Sequence, residues 1–436
     1  MADKVKIKTF PPSGTRDFYP EDMVFRNWLF NHWKQVSREF GCLEYDAPIV
    51  EHAELWTLKS GGTDILNEMY SFEQDGIHLT LRPEITPSLS RMMMNYLPTA
   101  VLPLKLFSIP QCYRFENVSK GRKREFYQWN VDIFGAENVK SEIEIFMLIV
   151  AFLKRVGLTS NDVVIRISNR MILQKVLTKI GVADDKLLTA YNIIDKIEKL
   201  SREEISQMLK ENVGIDDSCI DAIYKMISVN TIDGLIEYLG ENDETYLEMK
   251  KIFEYAEKVG ISEWILLDLK IVRGLNYYSG VVFECFTKQL DITRAILGGG
   301  VYSNMMESYG YSEHVNCIGF GLGDVVIETV IKELNLFPFE NIGIEYVIIP
   351  FNDTFFCDAC NIATRLREKG KMVDIYIKEN KIRSAYSYAD RKRADKVLMI
   401  APSEWVNKQI VVKDLRTTDP TKKQITVDLE QYLASL

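Results

Sequence analysis

Between Leu104 and Gly135 apolar and polar side chains alternate in a pattern that predicts two strands joined by a basic turn. In the returning strand Phe126, Gln128, Asn130 and Asp132 share one face, while Tyr127, Trp129, Val131 and Ile133 share the other. The outgoing strand continues the alternation, with Arg114 and Glu116 opposite Tyr113 and Phe115. Helical spacing from Asp22 to Phe40 predicts a helix closed by Gly41. Pro48 then sits in an extended segment. From Leu79 to Met94 the pattern passes from strand to helix; Pro83 keeps Arg82 out of helical geometry and leaves Glu84 at a strand end. Ser141 followed by Glu144 predicts a capping box, and Gly157 the end of that helix. Residues from about 171 to 260 read as helices with charged outer faces, and strand patterns resume at Ile265. A sheet interrupted in this way predicts one discontinuous α+β domain over residues 1–335 with a helical insertion. Beyond a short linker containing Pro338, strands and helices alternate as a separate α/β unit over residues 340–436.

Composition narrows the classes. The 436 residues are 47% hydrophobic and 26% charged, values of a soluble globular protein with a large core. The net charge of -9 excludes nucleic-acid binding by the field of the whole molecule and requires a local basic patch. From Glu340 onward 16 Lys/Arg face 14 Asp/Glu, a net +2. There the cluster Arg391, Lys392, Arg393 and Lys396 is either a solvated turn or an RNA contact. The charged amino terminus predicts no signal peptide, and no apolar run is long enough to span a bilayer. Seven scattered cysteines predict a reducing compartment, hence the cytoplasm. Cys357 and Cys360 form a CxxC ahead of a helix, compatible with a redox pair or with two small packing residues; no second pair follows at zinc-ligand spacing.

Arg, Glu, Gln, Asn and Asp gathered on one strand face suit a small zwitterion held by directed hydrogen bonds. Lys120, Arg122, Lys123 and Arg124 in the turn suit phosphates. A solvated amphipathic hairpin produces the same alternation, so pattern alone leaves both readings open. Gly298 to Gly300 are not followed by GK[ST] and form no P-loop; they predict a ligand's close approach to the backbone.

Taken in order, GTRDFYP from Gly14, the Pro48 segment, LRPEITPS from Leu81, YRFE with GRKREFYQ, IVRGLNYYSG from Ile271, LGGGVY from Leu297, GFGLGD from Gly319, and YADRKRADKVLMI with VVKDLR resemble the class II aminoacyl-tRNA synthetases. Within that class the VRGL-x-YY segment resembles the histidyl-tRNA synthetases. The resemblance implies an antiparallel sheet flanked by helices, a homodimer paired through the segment ending at Pro48, and a C-terminal α/β anticodon-binding domain. It also implies L-histidine, ATP with Mg²⁺, and tRNA(His) as ligands, with no membrane association.

The implied reaction brings a carboxylate onto the α-phosphate of ATP, so fixed cations carry more of it than any acid or base. By resemblance Arg114 and Arg273 are catalytic, meeting the carboxylate and α-phosphate from two sides. Glu116, Arg122, Arg124 and Phe126 complete the ATP site, Phe126 stacking on the base. Glu84, Thr86 and Gln128 would hold the α-ammonium, while Asp132, Tyr278 and Tyr302 would read the imidazole. Two positions depart from the pattern: Val326 stands where the third motif carries an arginine, and Asp132 is one methylene shorter than the expected glutamate. Two other readings are a non-charging paralogue, such as a regulatory subunit of histidine biosynthesis, and an RNA-binding protein that uses the last domain alone.

Overall fold

The computed structural model describes residues 8–57, 63–272, 277–338, 343–378, 381–419 and 423–436. The chain divides into two compact units, Met1–Phe337 and Pro338–Leu436. The first is built on a sheet of nine strands: β1 (Leu43–Glu44), β2 (Leu104–Ser108), β3 (Gln111–Tyr113), β4 (Glu125–Phe134), β5 (Val163–Asn169), β6 (Ile265–Leu267), β7 (Val281–Thr287), β8 (Leu297–Val301) and β9 (Cys317–Gly323). Their order is β1-β2-β4-β9-β8-β7-β5-β6, with β3 added beside β4. All pairs from β2 to β5 are antiparallel, and only the outermost pairs, β1 with β2 and β5 with β6, are parallel. The helices of this unit include α1 (Pro20–Glu39), α2 (Thr86–Tyr96), α3 (Lys140–Arg155) and α4 (Asp324–Glu333).

The apolar face of β4 explains why the hairpin is central. Trp129, Val131 and Ile133 join one core cluster with Trp33 and Val36 of α1 and Phe146, Ile149 and Phe152 of α3. The Trp129 ring meets Phe152 edge-on at 5.1 Å, and its indole N–H donates to Ser37 Oγ at 2.9 Å, so the burial leaves no polar atom of that ring unmet. Removing such a side chain typically costs about 3–5 kcal/mol in lost contacts and residual cavity.

The elements form largely where the periodicity puts them, with three differences. The outgoing strand is interrupted at Ile109–Pro110, because proline has no N–H for the ladder, and ends at Tyr113 instead of running through Glu116. The Ser141–Glu144 capping box does not form: α3 starts at Lys140, Ser141 Oγ donates to Glu142 Oε2 at 2.9 Å, and Glu144 is taken by Lys105 of β2. The helix expected over Asp22 to Phe40 begins earlier, at Pro20, whose fixed φ suits a first helical position, and it gives way to Gly41 at φ +75°.

Between β5 and β6 the chain forms the helices Arg170–Lys179, Asp184–Ile194, Arg202–Asn212, Asp217–Ile227, Ile236–Leu239 and Glu244–Lys258, with no strand among the described residues. The second unit has a five-stranded sheet in the order Val373–Ile375, Tyr346–Pro350, Lys396–Ile400, Gln409–Asp414, Gln424–Asp428, the first three parallel and the last two antiparallel to their neighbours. Cys357 and Cys360 lie unpaired in its helix Phe356–Glu368, the first exposed and the second partly buried. Among the described residues no helix is long and apolar enough to cross a membrane.

Candidate active site

The polar face of β4 floors a cavity of about 1570 Å³ in the first unit. Glu84, Thr86, Arg114, Glu116, Arg122, Phe126, Gln128, Tyr278 and Tyr302, all singled out from the sequence, line it together. They converge because alternation along β4 sends every second side chain the same way, while the β9 and β8 positions beside them are glycines. In register, Asp132 faces Gly319, Asn130 faces Gly321, and these continue to Gly300 and Gly298. A Cβ at Gly319 would lie 2.1 Å from Asp132 Oδ1, and one at Gly321 would lie 1.9 Å from Gln128 Nε2. The two polar side chains therefore lie across the neighbouring strand in space that no other residue leaves. At Gly300, within the Gly298 to Gly300 segment, a close neighbour is the Tyr278 ring, 2.7 Å from a Cβ built there.

Asp132 does not reach the cavity wall itself, and its link to the cavity is the Tyr302 hydroxyl, which donates to Asp132 Oδ1 at 2.7 Å. Its other oxygen, with Gln128 Oε1 and Asn130 Oδ1, finds no hydrogen-bond donor among the described residues. Burial, reinforced by Glu84 and opposed by the Tyr302 hydrogen bond, pushes Asp132 up to about 7. A row of buried acceptors on one strand fits a ligand rich in N–H donors. Glu84, buried at the end of the segment before α2, accepts from the Tyr277 hydroxyl at 3.1 Å. Tyr277 also lines the cavity and was not singled out from the sequence, where the resemblance marked only its neighbour Tyr278.

The cationic end is built by the hairpin loop. Arg114 Nε donates to the Pro83 carbonyl at 2.9 Å, and its guanidinium lies 5.3 Å from the Phe126 ring centroid. Arg122 Nε stands 2.9 Å from Glu116 Oε2, so Glu116 serves here as the partner of a neighbouring arginine. Burial raises the Glu116 carboxyl against the opposing pull of Arg122 and Arg114. Arg124 is the exception among the expected phosphate ligands. Its Nε donates to the Glu116 carbonyl at 3.1 Å and its guanidinium packs 3.9 Å from the Phe115 ring centroid, away from the cavity lining. Arg273 lies outside the described residues; Ile271 and Tyr277, on either side of that segment, line the cavity. Val326, at the start of α4, is a buried member of the lining.

The amino-terminal segment locks the base of the hairpin. Arg16 donates to Asp324 Oδ2 at 2.8 Å and stands 3.5 Å from Glu125 Oε1, while Asp324 Oδ1 accepts from the Tyr127 backbone N–H at 3.0 Å. One guanidinium thus joins the segment before α1, the first residue of β4 and the first of α4. Burial pushes Asp324 up to about 6 in spite of Arg16.

The family described as histidyl-tRNA synthetase matches residues 14–324, and that described as anticodon binding domain matches residues 345–436. The chain is 40% identical over 426 residues to the histidine–tRNA ligase of Arabidopsis thaliana named chloroplastic/mitochondrial, covering 98% of this chain and 87% of that one. It is 32% identical over 435 residues to the histidine–tRNA ligase of Leptospira biflexa, covering 99% and 98%. The crystal structure of histidyl-tRNA synthetase from Nostoc sp. PCC 7120 superposes with a TM-score of 0.77 at 20% identity, covering 99% of this chain and 100% of that one, a likeness of fold.

Proposed function

The chain belongs to the histidyl-tRNA synthetase family, and from that premise we infer that it ligates L-histidine to tRNA(His) through a histidyl-adenylate made from ATP. The observation that carries this reading is the polar floor, Gln128 and Asp132 laid over Gly321 and Gly319 with acceptor oxygens that meet no donor among the described residues. The α-ammonium of histidine takes Glu84, Thr86 and Gln128; the imidazole takes Asp132 through the Tyr302 side of the pocket, with Tyr278 opposite. An apolar competitor would leave these buried groups unmet, which provides selectivity without editing.

In the first step a histidine carboxylate oxygen attacks the α-phosphorus and pyrophosphate leaves. Arg114 holds the two anions together, Nε being already fixed by the Pro83 carbonyl so that the terminal nitrogens point from a set position. Arg273 keeps the role its motif implies, at the α-phosphate. Phe126 offers its ring to adenine, and Arg122 exchanges Glu116 for phosphate oxygens. Mg²⁺ enters as part of the substrate MgATP, ligated chiefly by the phosphates. In the second step a hydroxyl of the terminal ribose of a tRNA held by the 345–436 domain attacks the histidyl carbonyl of the adenylate, the ester forms, and AMP leaves with the proton released to solvent.

A homodimer paired through the segment at Pro48 is part of this reading, supported by Leu43, Ile49 and Val50, which are exposed although apolar; sedimentation velocity tests it. Free cysteines throughout suit the reducing cytoplasm, and cell fractionation separates that from the organelles in the Arabidopsis relative's name.

Histidine-dependent exchange of labelled pyrophosphate into ATP, run with each of the twenty amino acids and paired with charging of tRNA(His), is the deciding experiment. Exchange with histidine alone is expected. A folded protein that shows no exchange defeats the ligase reading. A regulatory subunit is not favoured, because the relatives that span nearly the whole chain are ligases.

A further inference from the structure

Glu116 is the meeting point of two guanidinium groups, of which only one belongs to the hairpin. Arg122 Nε stands 2.9 Å from Glu116 Oε2, and Arg294, from the loop between β7 and β8, brings a terminal nitrogen to 3.8 Å of the same oxygen. Both contacts are ion pairs without hydrogen-bond geometry, and the second is the longer. Among the described residues Glu116 is the one carboxylate that pairs with Arg294. An arginine carries five N–H donors in a planar fork matched to carboxylate or phosphate, and none of those of Arg294 donates to a described residue.

The stem of Arg294 is placed by packing. A Cβ built at Gly121, in the turn of the hairpin loop, would meet Val326 Cγ2 at 3.5 Å and Arg294 Cδ at 3.7 Å. Three segments far apart in sequence, the loop turn, the start of α4 and the β7–β8 loop, therefore touch at the cavity mouth. Val326 contributes a short branched side chain and no charge there, and the arginine that lines the cavity beside it is Arg294. Arg114, Arg122, Lys123 and Arg294 all line this end, so Glu116, shared by two of them, leaves the mouth with excess positive charge. A ligand bearing several negative charges is what such a mouth fits.

We propose that Arg294 is a further guanidinium ligand of the ATP polyphosphate, beyond Arg114, Arg122 and Arg273, trading its loose contact with Glu116 for phosphate oxygens beside Arg122. The proposal rests on the reading of this cavity as the ATP site and names a nucleotide ligand outside the hairpin and outside the helix that starts at Asp324.

The test uses the full-length protein and histidine-dependent pyrophosphate exchange. Arg294→Ala is expected to raise KM for ATP about 10- to 100-fold, the loss of one charge-assisted fork, and to raise KM for pyrophosphate in the reverse reaction. KM for histidine moves less than about twofold and inhibition by adenosine, which has no phosphate, is unchanged. Arg294→Lys restores part of the ATP affinity, since it keeps the charge and loses the fork. If Arg294→Ala melts out, Arg294→Gln, which keeps the stem against Val326 and Gly121, is judged by the same criteria. An ATP KM within twofold of wild type overturns the proposal, as does an equal rise for histidine. Adenosine weakened as much as ATP also overturns it, because the contact would then be with the base. Absence of exchange in the wild type instead defeats the ligase reading itself, so the two failures are distinguishable.

Discussion

Replacing Gly319 by alanine is the most direct test of how the pocket is built. The new Cβ would stand 2.1 Å from Asp132 Oδ1, 2.9 Å from its Cγ and 3.0 Å from the Val131 carbonyl oxygen. The two Asp132 contacts are impossible and the backbone contact is merely tight, so the Asp132 side chain yields and the strand pair stays. Turning Asp132 away breaks the 2.7 Å bond from Tyr302 and removes the acceptor from the pocket. A hydrogen bond to a charged group contributes about 1.5–3 kcal/mol, which predicts a rise of roughly 10- to 100-fold in KM for histidine. KM for ATP stays within about twofold, because the ATP ligands lie on other residues. Overpacking adds about 1–3 kcal/mol of destabilisation, read as a lowered Tm by circular dichroism. Gly323→Ala, on the same strand with nothing within 4 Å of its Cβ, is the control for stability. If folded Gly319→Ala binds histidine as wild type does, Asp132 does not read the substrate and the assignment of the imidazole end is wrong.

Three further outcomes are expected. Arg16→Ala strands the buried Glu125 and Asp324 carboxylates and is expected to cost about 3–5 kcal/mol in chemical denaturation; a cost under about 1 kcal/mol would mean the lock is decorative. The Asp132 carboxyl, raised from an ordinary 3.8 to about 7, binds its proton in the folded state where the unfolded chain has lost it, so it makes stability fall as pH rises between those values. Asp132→Asn therefore gains stability over wild type in chemical denaturation as the pH goes from 5 to 7, by roughly 1.4 kcal/mol per unit at most, and a pH-independent difference refutes this. A chain ending after Pro338 keeps Phe337, whose ring lies 5.1 Å from Phe25 and 5.2 Å from Trp28. It is expected to retain pyrophosphate exchange and lose most tRNA charging, whereas loss of both would tie the adenylate site to the second unit.

What was legible in the sequence was whatever a period of two or 3.6 encodes. The hairpin, the helical block before Ile265 and the polar row Gln128, Asn130, Asp132 all follow from spacing, since alternation fixes which side chains share a face. The places where the reading failed are those where a neighbour distant in sequence decides. Glu144 cannot close a capping box because Lys105, 39 residues before it, takes it. Arg294 has no periodic signal at all: it stands in an irregular loop, and only the turn at Gly121 and the side chain of Val326 mark its place.

The same strand carries the cost of the site and the means of meeting it. Buried acceptors at Gln128, Asn130 and Asp132 cost about 1–3 kcal/mol each where no donor reaches them, a sum comparable with the whole stability of a typical domain, about 5–15 kcal/mol. The residues between them, Trp129 and Val131, are fully buried beneath the sheet against Trp33 and Phe152. A strand that alternates in this way can hold unmet polar atoms rigidly, because moving any one of them requires lifting an aromatic neighbour out of a packed core. Substitutions on the apolar face of β4 should therefore loosen substrate selectivity as well as lower stability, although none of those side chains touches the cavity.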